Sequence, residues 1–305
     1  IRLSLVGSEM CIRDRYNRCK GSKYSMGTIN LKGKKVIVVG GNGYLGSFLV
    51  KALKEQEANV FIISRNCKAS DSQFIVDITN FDETNNIIQK IKPDIVYHLA
   101  ANISRNRDFS IYENMAAVNV QGTLNILKSL EGIDAHFIFT SSSEIYGNNE
   151  SPFHENQLPK PVSPYSLSKV NAEMLIQTYC INHQKKFTNL RVFNFYGEHM
   201  PEEFFIPQMI NSLKNGEDFL MTKGEQVRDF LYVSDVVSAL ILSAQNTNAY
   251  GETMNVCSGE GTKLSTLASA VNSTMKTKAK IMLGAIPYRD NEVWEMIGDN
   301  SKIKN

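Results

Sequence analysis

The run Gly40-Gly41-Asn42-Gly43-Tyr44-Leu45-Gly46 constrains this chain most, because it joins two segments of different hydrophobic period. Before it, Lys35-Val36-Ile37-Val38-Val39 is short, β-branched and apolar, and reads as a buried parallel strand. After it, Ser47-Phe48-Leu49-Val50-Lys51-Ala52-Leu53 has helical apolar spacing. A glycine turn from strand to helix lets a pyrophosphate approach bare backbone and the N–H groups of the helix N-terminus. This context predicts a dinucleotide site built on Gly40, Gly43, Tyr44, Leu45 and Gly46.

A second strand, Val60-Phe61-Ile62-Ile63, ends at Ser64-Arg65, where an NAD-selective site usually presents a carboxylate to the ribose 2′-hydroxyl. A guanidinium there can grip a 2′-phosphate, so Arg65 tilts the cofactor toward NADP; the alternative is a solvated arginine at a strand end. Asp77, in Phe74-Ile75-Val76-Asp77-Ile78, closes a third strand. It either accepts from the adenine amino group or caps its own loop.

A second constellation follows. Ser141-Ser142-Ser143 ends the apolar stretch His136-Phe137-Ile138-Phe139-Thr140, and Tyr165-Ser166-Leu167-Ser168-Lys169 comes after Ser163-Pro164. Serine as N-cap and proline as first helical residue predict a helix start, which sets Tyr165 and Lys169 four apart on one face. A phenol titrates near pH ~10 when free. A neighbouring ammonium and an oxidised nicotinamide ring both favour the phenolate, so Tyr165 can serve as a base. Lys169 would also hold a ribose hydroxyl, and Ser142 would donate to the substrate oxygen that alternates between alcohol and ketone.

With these signatures in this order, the chain resembles the extended short-chain dehydrogenase/reductases, the NAD(P)-dependent nucleotide-sugar epimerases, dehydratases and reductases. The resemblance runs from about Lys35 to Lys302. It includes Asp94-Ile95-Val96-Tyr97-His98-Leu99-Ala100-Ala101, Asn119-Val120-Gln121-Gly122-Thr123, Glu144-Ile145-Tyr146-Gly147, Leu190-Arg191-Val192-Phe193-Asn194 and the segment from Gln226 to Asp235. It implies that Ile78, Leu99, Ala100 and Ala101 line the cofactor and that Ser143 faces the substrate beside Ser142. It further implies that Asn194 contacts the substrate's phosphates, that Arg228 clamps its diphosphate and that Asn119 supports the active-site helix. His98 and Tyr146 read as residues of the fold alone.

The resemblance leaves the reaction open. Family 4,6-dehydratases typically carry Thr where Ser142 stands, followed by Asp or Ser and then a glutamate that removes the C5 proton. Ser143-Glu144 matches the second half of that pattern, whereas Ser142 looks more like a C4 epimerase or a ketoreductase. Glu144 is thus either a C5 base or a supporting hydrogen-bond partner. The expected activity is hydride transfer at C4 of a nucleotide-diphosphate sugar, with 4,6-dehydration as the alternative. A cofactor-sensing protein without catalysis is the reading from another class; such proteins commonly lose the Tyr/Lys pair.

The fold expected is α/β, a Rossmann-type doubly wound parallel sheet with a smaller interleaved C-terminal substrate-binding cap. The dinucleotide domain is expected over 26–193 and the cap mostly over 194–305, with Thr253-Met254-Asn255-Val256-Cys257 returning to the main sheet or its edge. The chain has 305 residues, 42% of them hydrophobic, enough for a sizeable core. A formal charge of +2 implies no nucleic-acid partner. No apolar run reaches the ~18 residues of a membrane helix. Cys11, Cys19, Cys67, Cys180 and Cys257 show no paired metal spacing, the five histidines form no metal motif, and scattered cysteines suit a reducing cytoplasm. Long apolar faces on the helices around 111–130 and 164–184 fit ordinary packing on the sheet; the resemblance implies that they pair across a homodimer. Residues 1–25 read as a non-native leader, with Met26 as the expected start. The family usually continues beyond the position of Asn305, so a gene fragment is expected.

Overall fold

The computed structural model describes residues 30–104, 106–275 and 277–304, so the expected leader and its cysteines lie outside the described residues. Strand β1 (Lys35–Val39) starts the main sheet, and helix α1 (Tyr44–Glu55) follows the glycine turn. Next come β2 (Asn59–Ser64), β3 (Gln73–Ile75), α2 (Phe81–Ile91) and β4 (Ile95–His98). Helix α3 begins as Tyr112–Ala116, widens into a π-helical stretch over Ala117–Gln121 and ends as Gly122–Ser129. Then follow β5 (His136–Ser142), α4 (Pro164–Asn182) and β6 (Lys186–Val192). The sheet is completed by β10 (Glu252–Val256), which pairs parallel with β6 as the sequence led us to expect.

The seven strands run in the order β10-β6-β5-β4-β1-β2-β3, and every neighbouring pair is parallel. Strand order reverses between β1 and β4, which opens a crevice at the strands' carboxyl ends where ligands bind in such sheets. Alternation explains the layers. Val36, Val38 and Ile138 point to one face and are covered by α1 and by α6 (Val233–Gln245), whereas Ile37, Val39, Phe137 and Phe139 point to the other and meet α2, α3 and α4. Strand and helix patterns therefore agree on one buried sheet.

The remaining elements build a smaller second unit. β7 (Asn194–Tyr196), β9 (Val227–Tyr232), β11 (Gly261–Lys263) and β13 (Glu295–Met296) form a second sheet centred on β9. Helices α5 (Phe205–Lys214) and α7 (Leu264–Met275) pack with β8 (Phe219–Met221) and β12 (Ile281–Leu283) around Met209, Leu213, Leu267 and Val271. A short helix, α8 (Ser301–Lys304), ends the described chain. Among the described residues no helix is long and apolar enough to cross a membrane. They also hold no cluster of His, Cys, Asp and Glu able to bind a metal ion.

Candidate active site

The glycine turn is sterically exact. Gly40 has φ +83°, and a Cβ on it would lie 2.8 Å from the Ala100 nitrogen, while one on Gly46 would lie 2.3 Å from the Gly40 carbonyl oxygen. Side chains are thus excluded where β1, α1 and the strand-end segment Leu99-Ala100 meet; the N–H groups of Leu99 and Ala100 both donate to the Val39 carbonyl. Gly43 is the N-cap of α1, with no side-chain cap and no acid in the first turn. That helix end supplies open N–H donors and a positive dipole end to an anion, so these residues fit a dinucleotide pyrophosphate. Tyr44 stacks on Phe195 with centroids 6.1 Å apart, and its buried hydroxyl has no partner.

At the end of β2, Arg65 is exposed and its charge reaches Asp77, whose carboxyl is held below the usual range chiefly by the Thr79 backbone N–H. The third strand ends at Ile75 rather than at Asp77, because Asp77 turns the chain: its Oδ1 accepts from Thr79 N at 3.0 Å and Thr79 Oγ1 at 2.8 Å. The loop-capping reading of Asp77 therefore describes that oxygen. Ile78 is buried against α3, close to Gly122, so its side chain serves the core. Asn42 Nδ2 donates to the Asn66 carbonyl at 3.1 Å and ties the glycine turn to the segment that carries Arg65.

The second constellation converges beside this cradle. Ser163 caps α4 in a reciprocal box with Ser166, and Pro164 takes the first turn, as the sequence predicts. Lys169 is 2% exposed and donates to the Thr140 carbonyl at 2.8 Å, with its ammonium 4.5 Å from the Phe139 ring centroid and 5.9 Å from that of Tyr165. Burial pulls its pKa down from 10.5 to about 7, while the charge of Glu173 opposes this. The Ser142 hydroxyl lies within hydrogen-bond reach of the Tyr165 hydroxyl and also accepts from Glu144 N at 3.2 Å. Within the chain itself the Tyr165 phenol is pushed up, first by burial and then by the Glu144 carboxylate.

The helix that carries this group is pinned from α3. At the π-helical stretch Asn119 Nδ2 donates to Ser168 Oγ at 2.9 Å and to the Asn102 carbonyl at 3.0 Å, and Ser168 Oγ donates to the Tyr165 carbonyl at 2.7 Å. His98 and Tyr146 are fully buried. The His98 ring pairs with Thr123 Oγ1, and the Tyr146 hydroxyl donates to Asn255 Oδ1 at 2.7 Å.

On the cap side, Arg228 Nη2 pairs with Glu292 Oε1 at 3.0 Å, with both side chains largely shielded. The charge of Glu144 reaches the same guanidinium, so Tyr165, Glu144 and Arg228 share one electrostatic neighbourhood. Met296, in register with Arg228, accepts from Ser143 Oγ at 3.1 Å, and its sulfur lies 3.6 Å from Asn194 Nδ2. Arg107, beyond β4, donates to the Asn291 carbonyl at 2.6 Å, which bridges the main sheet's loop and the cap. Sequence reasoning missed Glu292, Met296 and Arg107, each paired with a residue more than sixty positions away. Glu173 was within reach, since it stands four residues after Lys169 on the same helix.

Residues 36–257 match the NAD dependent epimerase/dehydratase family. The chain is 29% identical over 280 residues to GDP-6-deoxy-D-talose 4-dehydrogenase of Aggregatibacter actinomycetemcomitans, covering 89% of this chain and 90% of that protein. It is 30% identical over 254 residues to dTDP-D-glucose 4,6-dehydratase of Bos taurus, covering 77% of this chain and 71% of that one. Among solved structures, UDP-glucose 4-epimerase of Thermotoga maritima with UDP-glucose superposes with a TM-score of 0.81 at 26% identity. That match covers 88% of this chain and 91% of the other.

Proposed function

The chain belongs to the NAD dependent epimerase/dehydratase family, enzymes of the extended short-chain dehydrogenase/reductase type, and from that premise we propose that it acts at C4 of a nucleotide-diphosphate sugar as an epimerase or ketoreductase. The observation that carries this reading is the convergence of Ser142, Tyr165 and Lys169 at the carboxyl end of β5, beside the glycine cradle. NAD(P), when bound, supplies the acceptor and donor of hydride. Gly40, Gly43, Tyr44, Leu45 and Gly46 would hold its pyrophosphate, and Leu99, Ala100 and Ala101 would flank it. Arg65 favours a 2′-phosphate there, hence NADP.

The chain's own groups manage the proton. Tyr165 Oη takes it from the C4 hydroxyl, Ser142 Oγ donates to that oxygen, and Lys169 Nζ stabilises the charge that develops on both. Arg228 holds the diphosphate and Asn194 its oxygens, while Ser143 lines the sugar side. A ketoreductase runs the proton transfer in one direction, and an epimerase reverses it with hydrogen returned to the other face. Relatives with dehydrogenase, dehydratase and epimerase names support the shared C4 chemistry. A homodimer through α3 and α4 fits the exposed Met174 and Ile181 on α4.

Glu144 supports the second reading, a 4,6-dehydratase, because its charge reaches both Tyr165 and Arg228 and so borders the sugar position. A cofactor sensor without catalysis is disfavoured by the assembled Tyr165/Lys169 pair. The test is turnover of GDP-, UDP-, dTDP- and CDP-hexoses and their 4-keto forms with NAD(H) and NADP(H), with products identified by NMR. A C4-epimerised or C4-reduced product supports the proposal. A 4-keto-6-deoxy product supports the dehydratase, and no turnover of any of them contradicts both.

A further inference from the structure

Lys169 is a cation with almost no solvent around it, and such a group stays charged only where a fixed anion compensates for its lost hydration. Glu173 stands four residues further along α4, so the two side chains lie on adjacent turns of one face. An unrestrained glutamate at that spacing would pair directly with the lysine and draw its ammonium away from Tyr165. Here the carboxylate is held elsewhere. Arg191 Nε donates to Glu173 Oε1 at 3.1 Å and Oε2 at 3.2 Å, and Nη2 donates to Oε2 at 2.8 Å, with the two side chains 7% and 8% exposed.

Arg191 is itself locked. Its Nη1 donates to the Tyr146 hydroxyl at 2.8 Å and to the Glu155 carbonyl at 3.0 Å, and Tyr146 is anchored to Asn255 on β10. The grip therefore spans α4, β6, β10 and the segment that precedes α4. Resting on the assignment of Tyr165 and Lys169 made above, we propose that Glu173, gripped by Arg191, is a positioning residue for Lys169. Its fixed charge keeps the buried ammonium protonated at the reacting centre without taking a hydrogen bond from it.

The other charges around Lys169 do not replace it. Tyr165 on the same helix is neutral, His98 on β4 is kept neutral by burial and by Lys169 itself, Arg191 on β6 is a cation, and Glu144 acts on Tyr165. Glu173 is the carboxylate whose charge opposes desolvation at Lys169. Three hydrogen bonds from one guanidinium fix its direction, so the lysine keeps Thr140 as its hydrogen-bond acceptor and its remaining N–H groups for ribose and phenol.

The test reads the ammonium directly, by the Cε resonance of Lys169 in lysine-labelled full chain, assigned with Lys169→Gln and followed from about pH 5 to about pH 10. Glu173→Gln alone strands a buried guanidinium and can unfold the chain, so the isosteric pair Glu173→Gln/Arg191→Gln is the working variant. Its Lys169 midpoint is expected to fall by about one pH unit, and its NADPH dissociation constant near neutral pH to rise about tenfold, while melting stays cooperative. Glu173→Asp, which keeps the charge, should restore most of the midpoint. A residue that only packs the helix would lower the melting temperature and leave the midpoint in place, and a midpoint within about 0.3 unit of the parent overturns the proposal. Failure of the parent to turn over any nucleotide sugar would count against the proposed activity and leave this titration as the decisive result.

Discussion

Lys169 Nζ donates to the carbonyl oxygen of Thr140 at 2.8 Å, which ties the one buried ammonium of helix α4 to the carboxyl-terminal part of strand β5. This contact joins the element that carries Tyr165 to the strand that ends in Ser142. The geometry makes chemistry and stability depend on the same charge.

Stability should therefore rise with pH above neutrality through this residue. The folded-state pKa of about 7 lies below the ordinary 10.5, so between these values the unfolded chain binds a proton that the folded chain does not. Below about pH 7 both states are protonated and the full desolvation penalty applies. Lys169 should add up to about 1.4 kcal/mol of stability per pH unit between roughly pH 7 and pH 10. Denaturant melts of Lys169→Met across this range should show that slope removed; an unchanged slope would mean that the lysine is not the titrating group.

Arg65 is the predicted selector of cofactor. Arg65→Asp should weaken NADPH binding about 10- to 100-fold, the worth of a charge-assisted hydrogen bond to phosphate, and leave NADH binding within a few-fold. Fluorescence titration decides this. Equal loss for both dinucleotides would return Arg65 to an ordinary solvated residue.

Arg228 should matter to the sugar nucleotide and not to the dinucleotide. Arg228→Ala removes the proposed diphosphate clamp and leaves Glu292, its shielded partner at 3.0 Å, without a counter-charge. KM should rise more than about tenfold, with cofactor affinity unchanged. Steady-state kinetics beside cofactor titration separate the two, and a matching loss of both would relocate Arg228 to the fold.

Much of this was legible in the sequence because it is local. The glycine turn, the Ser163-Pro164 helix start and the Tyr165/Lys169 spacing each sit within a few residues, and the strand Thr253–Val256 announces itself by its apolar pattern. The misplaced end of the third strand is local too: Asp77 competes for backbone N–H groups and stops the ladder at Ile75. The burial that pushes the Tyr165 phenol up was not legible, since it is a property of the assembled crevice. Glu292 opposite Arg228 and Met296 against Ser143 come from segments 64 and 153 residues away, where no periodicity links the partners.

Glu144 separates the two candidate reactions. No solvent deuterium is expected at C5 of product formed in heavy water, and kcat should fall by less than about tenfold in Glu144→Gln. C5 deuteration by the parent chain that vanishes in this variant would make Glu144 the C5 base and the chain a dehydratase.

The most direct test of the central claim is single-turnover kinetics of Tyr165→Phe beside its dinucleotide affinity. The phenyl ring keeps the packing and loses only the hydroxyl that moves the proton. The chemical step should slow by about 10³-fold or more while the dissociation constant for NADPH stays within about twofold. Turnover close to that of the parent chain would contradict the assignment of Tyr165 as the proton-transfer group.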